Sequence, residues 1–141
     1  MPITVRRFAP DEWRAYRELR LRALVESPES FGSTHAREVS RSDQEWEARL
    51  REGVKAEAQL PLVALSDDVP VGLAWGRQDA NDASVAHLFQ VWVAPEARAR
   101  GIGRLLLDAV IGWAKTRSVR AIRLGVTPSH PAALRLYRRA G

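Results

Sequence analysis

The clearest chemistry in this 141-residue chain is concentrated in one short segment holding Arg98, Arg100, Gly101 and Gly103. The segment lies between an apolar stretch that ends Val91-Trp92-Val93-Ala94-Pro95 and an amphipathic stretch that starts at Ile102. A strand that passes through a short loop straight into a helix leaves the first N–H groups of that helix without partners. It also presents the positive end of the helix dipole, so phosphate is favoured there. Glycine lets the backbone come close to phosphate oxygens, and the two arginines add charge. Pro95 has no N–H to give to a sheet and helps to end the strand. Two familiar phosphate loops are excluded by spacing. A P-loop needs four residues between its glycines followed by Gly-Lys-Ser/Thr. A dinucleotide loop needs a glycine three residues after Gly103, where the chain has Leu106.

The elements that must position this loop follow from periodicity. Ile3 to Phe8 reads as a strand. Pro10 and Asp11 open a helix in which Trp13, Tyr16, Leu19, Ala23 and Leu24 recur at helical spacing, and Ser27-Pro28 ends it. Phe31 to Ser42 reads as loop, and a second helix runs from Ser42 and Asp43 to about Arg51. Leu60 to Leu65 and Val71 to Gln78 are strands joined by the turn Asp67-Asp68-Val69-Pro70, a hairpin. Val85 to Ala94 is a longer strand, apolar on both faces as a covered central strand should be. Ile102, Leu105, Leu106, Ala109, Val110, Trp113 and Ala114 define the clearest helix. Ala121 to Val126 is a short strand, and a last helix starts at Ser129 or His130 with Pro131 in its first turn. The order β-α-α-β-β-β-α-β-α is that of an α/β sandwich with a mostly antiparallel sheet. The unit from Val85 to Val126 should be a parallel crossover.

Arg98-x-x-Gly101-x-Gly103, with the Val-x-Val-x-Pro strand before it and Ala132-Ala133-Leu134-Arg135-Leu136-Tyr137 further on, resembles the GNAT superfamily of acetyl-CoA-dependent N-acetyltransferases. The resemblance is clear from about Ala86 to Gly141 and looser before that. It implies that the whole chain, 1–141, is a single N-acetyltransferase domain. It implies acetyl-CoA as cosubstrate, its arm against the backbone of Val91, Trp92 and Val93 and its pyrophosphate on Arg98, Ala99, Arg100, Gly101, Ile102, Gly103 and Arg104. Tyr137 matches the tyrosine that protonates the departing thiolate. His130 takes the place of a common asparagine beside the cofactor arm. The implied reaction is direct attack by an amine on the thioester, which needs a base; His87 and Glu38 are the candidates. The family continues past Gly141 with further strands, so the resemblance also implies a C-terminally incomplete domain, and it implies a homodimer.

Composition narrows the remaining classes. There is no cysteine, which excludes disulfides, thiolate metal sites and cysteine nucleophiles. No His/Asp/Glu set has metal-ligand spacing, so no metal is expected. No apolar run approaches the roughly 20 residues of a membrane span, and the N-terminus lacks the apolar core of a signal peptide. A cytoplasmic protein without membrane partners is the expectation. The net charge is +5, but from Arg98 to Gly141 ten Lys/Arg face one acid, +9, against −4 for the first 97 residues. That asymmetry suits an anionic partner. A nucleic acid would need a surface stripe with exposed aromatics, whereas the aromatics here fall at buried spacings, so no nucleic-acid partner is expected. The resemblance implies a small-molecule or peptide amine as acceptor, and the sequence does not say which. A non-catalytic acyl-CoA-binding sensor of the same fold is the alternative.

Overall fold

The computed structural model describes residues 2–26 and 34–124. Among these residues five strands form one sheet in the order β1-β2-β3-β4-β5: β1 (Ile3–Arg7), β2 (Gln59–Ser66), β3 (Val69–Gln78), β4 (Val85–Val93) and β5 (Ala121–Leu124). The first four are antiparallel neighbours, and β4 pairs with β5 in parallel from Val85↔Ala121 to Leu88↔Leu124. The mostly antiparallel sheet and the parallel crossover are as the sequence implies. The helices are α1 (Trp13–Glu26), α2 (His35–Val39), α3 (Asp43–Lys55) and α4 (Ile102–Thr116).

Alternation along the central strands sends side chains into two apolar layers. On one face Val63, Leu65, Leu73, Trp75 and Trp92 pack against Phe8, Tyr16, Leu24, Trp46 and Leu50 of the α1–α3 side. On the other, Leu60, Leu62, Ala64, Ala74 and Leu88 pack against Ile102, Leu106, Leu107 and Val110 of α4. The first layer is aromatic at its centre: Tyr16 lies 5.7 Å from Phe8, 5.6 Å from Trp46 and 5.3 Å from Trp75. Such ring pairs contribute about 0.5–1.5 kcal/mol each beyond the burial of their area.

Boundaries differ from the sequence reading in places, and α3 runs on to Lys55 rather than stopping near Arg51. The 31–42 segment is not all loop: Thr34 accepts a hydrogen bond from the Arg37 N–H and caps the short α2. Glu38 is on that helix, 1% exposed, with both carboxylate oxygens taken by Arg20 of α1 at 3.0 and 2.8 Å. Helix α1 begins at Trp13, after a turn in which the Glu12 carboxylate accepts the Ala9 N–H. The hairpin turn needs only Asp67 and Asp68, both at positive φ (50° and 66°), so β3 starts at Val69. The expected last helix, with His130 and Tyr137, lies outside the described residues.

Candidate functional site

Strand β4 carries an irregularity at its middle. Pairing steps from Leu73↔Trp92 to Trp75↔Phe89, so Gln90 and Val91 together oppose Ala74, a β-bulge. Gln90 adopts φ 60° and is 5% exposed; its side-chain oxygen accepts the Tyr16 hydroxyl at 2.8 Å, while its amide nitrogen has no partner among the described residues. Burial pushes the Tyr16 phenol above its ordinary value, so it acts as a neutral donor to Gln90. Gln90 is not among the site residues that the sequence points to. Its only signal there is being the one amide in the apolar run Leu88–Val93.

After β4 the chain makes a 3₁₀ turn, Pro95–Ala97, and enters α4 through Ala99 (φ 66°) and Gly101 (φ 77°). Gly101 is the N-cap and offers no side chain to the helix, so the left-handed geometry is met by the residue that adopts it most easily. The Arg98 N–H reaches the Pro95 carbonyl, and the Leu105 N–H reaches the Gly101 carbonyl at 3.1 Å. Between them, the N–H groups from Ala99 to Arg104 meet no acceptor among the described residues. A Cβ placed on Gly101 or Gly103 would have nothing within 4 Å. Orphan donors, open space over two glycines and the positive end of α4 together make a cradle that fits a pyrophosphate.

The side chains of this segment divide by role. Arg98 does not offer its charge to the cradle: its guanidinium reaches the Val93 carbonyl (2.9 Å) and the Glu26 carboxylate (2.9 Å), because the last described turn of α1 brings Glu26 alongside. Trp92 points into the α1-side core, and its indole N–H donates to the same Glu26 at 2.7 Å, so its side chain is structural. Ile102 is a core plug beneath the loop. Arg104 is exposed and pairs with Asp108 one turn on. Arg100 donates to the Ser66 hydroxyl at 3.1 Å, and no carboxylate pairs with it among the described residues. Val91 is 37% exposed, and Val93 packs toward α4.

His87, the third residue of β4, is partly buried with its Nε2 2.8 Å from Asp79 Oδ2. The hydrogen bond from His87, with the N–H of Asn81, holds the Asp79 carboxyl below the usual carboxylate range. Sequence reasoning misses Asp79; its place just after β3, opposite the start of β4 in a hairpin, is the available signal. On the same face of the hairpin an open cavity of about 520 Å³ lies against α3. Trp75 and Phe89 stack along it with ring centroids 6.2 Å apart, and Arg41, Glu45, Arg49, Glu52 and Arg77 also line it. Glycine at 53 is what admits Trp75 so close to α3: a Cβ there would lie 2.3 Å from the indole. Among the described residues no group of three or more His, Asp or Glu could hold a metal, and no helix is long and apolar enough to cross a membrane.

Residues 13–141 match the acetyltransferase (GNAT) family. The chain is similar to the [ribosomal protein bS18]-alanine N-acetyltransferase of Salmonella typhimurium, 32% identical over 96 residues, 68% of this chain and 63% of that protein. It thus spans less than two thirds of that relative's length. Among solved structures, a GNAT-family acetyltransferase from Streptococcus pneumoniae superposes with TM-score 0.76 at 22% identity, covering 99% of this chain and 84% of that one. The yncA protein of Salmonella typhimurium, solved with its cofactor acetyl-CoA, gives 0.78 at 19% identity, with 100% and 79% covered.

Proposed function

The chain belongs to the acetyltransferase (GNAT) family, and from that premise we propose that it transfers the acetyl group of acetyl-CoA to a primary amine. The observation that carries the reading is the row of N–H groups from Ala99 to Arg104, without acceptors among the described residues, beneath two glycines with open space above them. On this reading the row holds the pyrophosphate, with Arg100 adding charge and Arg98 instead bracing the loop against α1. The backbone of Val91 and Val93, beyond the bulge, receives the arm of the cosubstrate. The bulge matters because it breaks the pairing of β4 with β3 at Gln90 and leaves local backbone groups free to donate to a thioester oxygen as charge develops.

The neutral amine attacks the thioester carbon; the C–N bond forms and the C–S bond breaks. The amine proton passes to a base, and the thiolate takes a proton as it leaves. Of the two bases, His87 suits the task better. One ring nitrogen is oriented by Asp79 and the ring is partly open to solvent, so the other nitrogen can take a proton. Glu38 is enclosed with both oxygens bound by Arg20, and acts on this reading by fixing α2 to α1. Tyr137 remains the proposed acid for the thiolate, and His130 a proposed contact to the arm. Holding the two reactants together supplies much of the rate.

The test is release of free thiol from acetyl-CoA in the presence of a mixed set of primary amines. Amine-dependent release, matched by an acetylated amine of the expected mass, supports transfer. Tight binding of acetyl-CoA with no thiol release from any amine would instead support the sensor alternative.

A further inference from the structure

Helix α3 treats two equivalent ion-pair positions differently. On its outer side Glu47 and Arg51, spaced i and i+4, pair at 3.3 Å. On the side facing the cavity Glu45 and Arg49 have the same spacing and the same favourable order. They form no pair, and neither does Arg49 with Glu52 at i+3. Arg49 instead lies over the Trp75 ring at 6.0 Å. Across the cavity Arg77 lies over Phe89 at 5.4 Å. The guanidinium groups of Arg49, Arg77 and the neighbouring Arg41 have no carboxylate partner and no hydrogen-bond acceptor among the described residues, although all three line one cavity. A guanidinium held over a ring by cation–π attraction leaves its N–H fork unspent, and that fork can take a carboxylate or phosphate oxygen pair. The two glutamates of the cavity are exposed, and Glu45 is engaged at the cap of α3 with Ser42.

We propose that this cavity binds the acceptor, and that the acceptor is an amine which also carries an oxyanion group and a flat apolar body. The apolar body packs against the partly exposed Phe89, which Trp75 backs, and the oxyanion meets Arg49 and Arg77. The amine extends along β4 past Phe89 toward Val91, and its proton reaches His87, which lies opposite Arg77 at the other end of the cavity, through a water chain. This rests on the transferase reading for the direction of the amine, while the anionic preference stands on the cavity alone. The three arginines against two glutamates make a polyamine or other polycation the poorer ligand.

The experiment is calorimetric titration of the full chain with four probes on one ring: 4-(aminomethyl)benzoate, 4-(aminomethyl)benzylphosphonate, benzylamine and 1,4-bis(aminomethyl)benzene. The benzoate or the phosphonate should bind about tenfold or more tightly than benzylamine, the effect of one charge-assisted hydrogen bond, and the diamine should bind no better than benzylamine. Whichever anionic probe is tighter identifies carboxylate or phosphate as the group recognised. Arg49→Gln and Arg77→Gln should each remove most of the preference, and Arg51→Gln, on the outer side of the same helix, should leave it. Binding of the diamine equal to that of the anionic probes, a preference untouched by Arg49→Gln and Arg77→Gln, or no binding of any probe overturns the proposal. Acetyl-CoA is titrated in parallel. Its failure to bind while the benzoate binds would count against the transferase reading and not against the anion site.

Discussion

Asp79 and His87 show how a residue's neighbours set its use. The aspartate lies just beyond β3, its carboxylate is hydrogen-bonded to the imidazole, and two backbone N–H groups of the following turn also point at it. Asp79→Asn keeps the shape but can present an N–H to the ring where an acceptor was, so the imidazole is held in the other tautomer or released. If His87 is the base, kcat should fall by roughly 10²-fold, the usual size of a general-base contribution. The affinity for acetyl-CoA should stay unchanged in a direct titration. His87→Gln should give a fall of the same order, and the double variant should be no worse than either alone, because the two act as one unit. A kcat insensitive to both changes would remove His87 from the mechanism.

At the scale of elements, the strand-loop-helix unit β4–α4 is the most legible part of the sequence. Its signals are local: an apolar run, a proline, two glycines and a long helical periodicity follow one another without a break along the chain. What the sequence does not disclose depends on contacts between distant segments. The side chain of Gln90, at the bulge, is held by Tyr16, 74 positions away. Arg98 reads as a phosphate ligand because Glu26, 72 positions away, is not adjacent to it in sequence. Helix α2 reads as loop because five residues are too few for periodicity to register. The arginine-lined cavity is illegible for the same reason as Gln90 and Arg98, since α3, β3 and β4 each supply part of it. Gly53 is the element-scale device that lets α3 sit on Trp75. In Gly53→Ala the new methyl would start 2.3 Å from the indole, so the ring or the helix must shift. The better helix propensity of alanine, worth up to about 1 kcal/mol, is then set against overpacking of about 1–3 kcal/mol. Chemical denaturation should show a net loss of stability, with weaker binding of the ring probes; a net gain in stability with binding intact would show that Trp75 is not held where the structure puts it.

For the whole molecule, charge and pH are linked through carboxylates that the fold holds charged. Glu12 is held below its ordinary value by Arg6, Asp79 by His87, Asp82 by Ser84 and Glu96 by Arg22. A carboxyl whose value is depressed on folding contributes stability that is fully present above its unfolded value of about 4 and is lost as pH falls through the depressed value. The urea midpoint should therefore show no loss from these groups down to roughly pH 5 and a decline below about pH 4. A midpoint that holds or rises between about pH 4 and about pH 2 would contradict the pairings. The basic C-terminal third belongs to this scale too: it begins at the cradle before α4, where an anion is expected.

That cradle is the centre of the proposed function, and Gly103 gives the most direct access to it. Gly103 lies in the first turn of α4, has no positive φ, and a Cβ added to it would meet nothing within 4 Å. A leucine therefore fits there without strain and with better helix propensity. Calorimetric titration of wild type and Gly103→Leu with acetyl-CoA, beside their melting temperatures, isolates the backbone cradle from the fold. Micromolar binding by the wild type, weakened at least about tenfold in Gly103→Leu at equal or higher melting temperature, is the predicted result. Equal binding by the two proteins, or none by the wild type, would contradict the assignment of this loop to the cosubstrate.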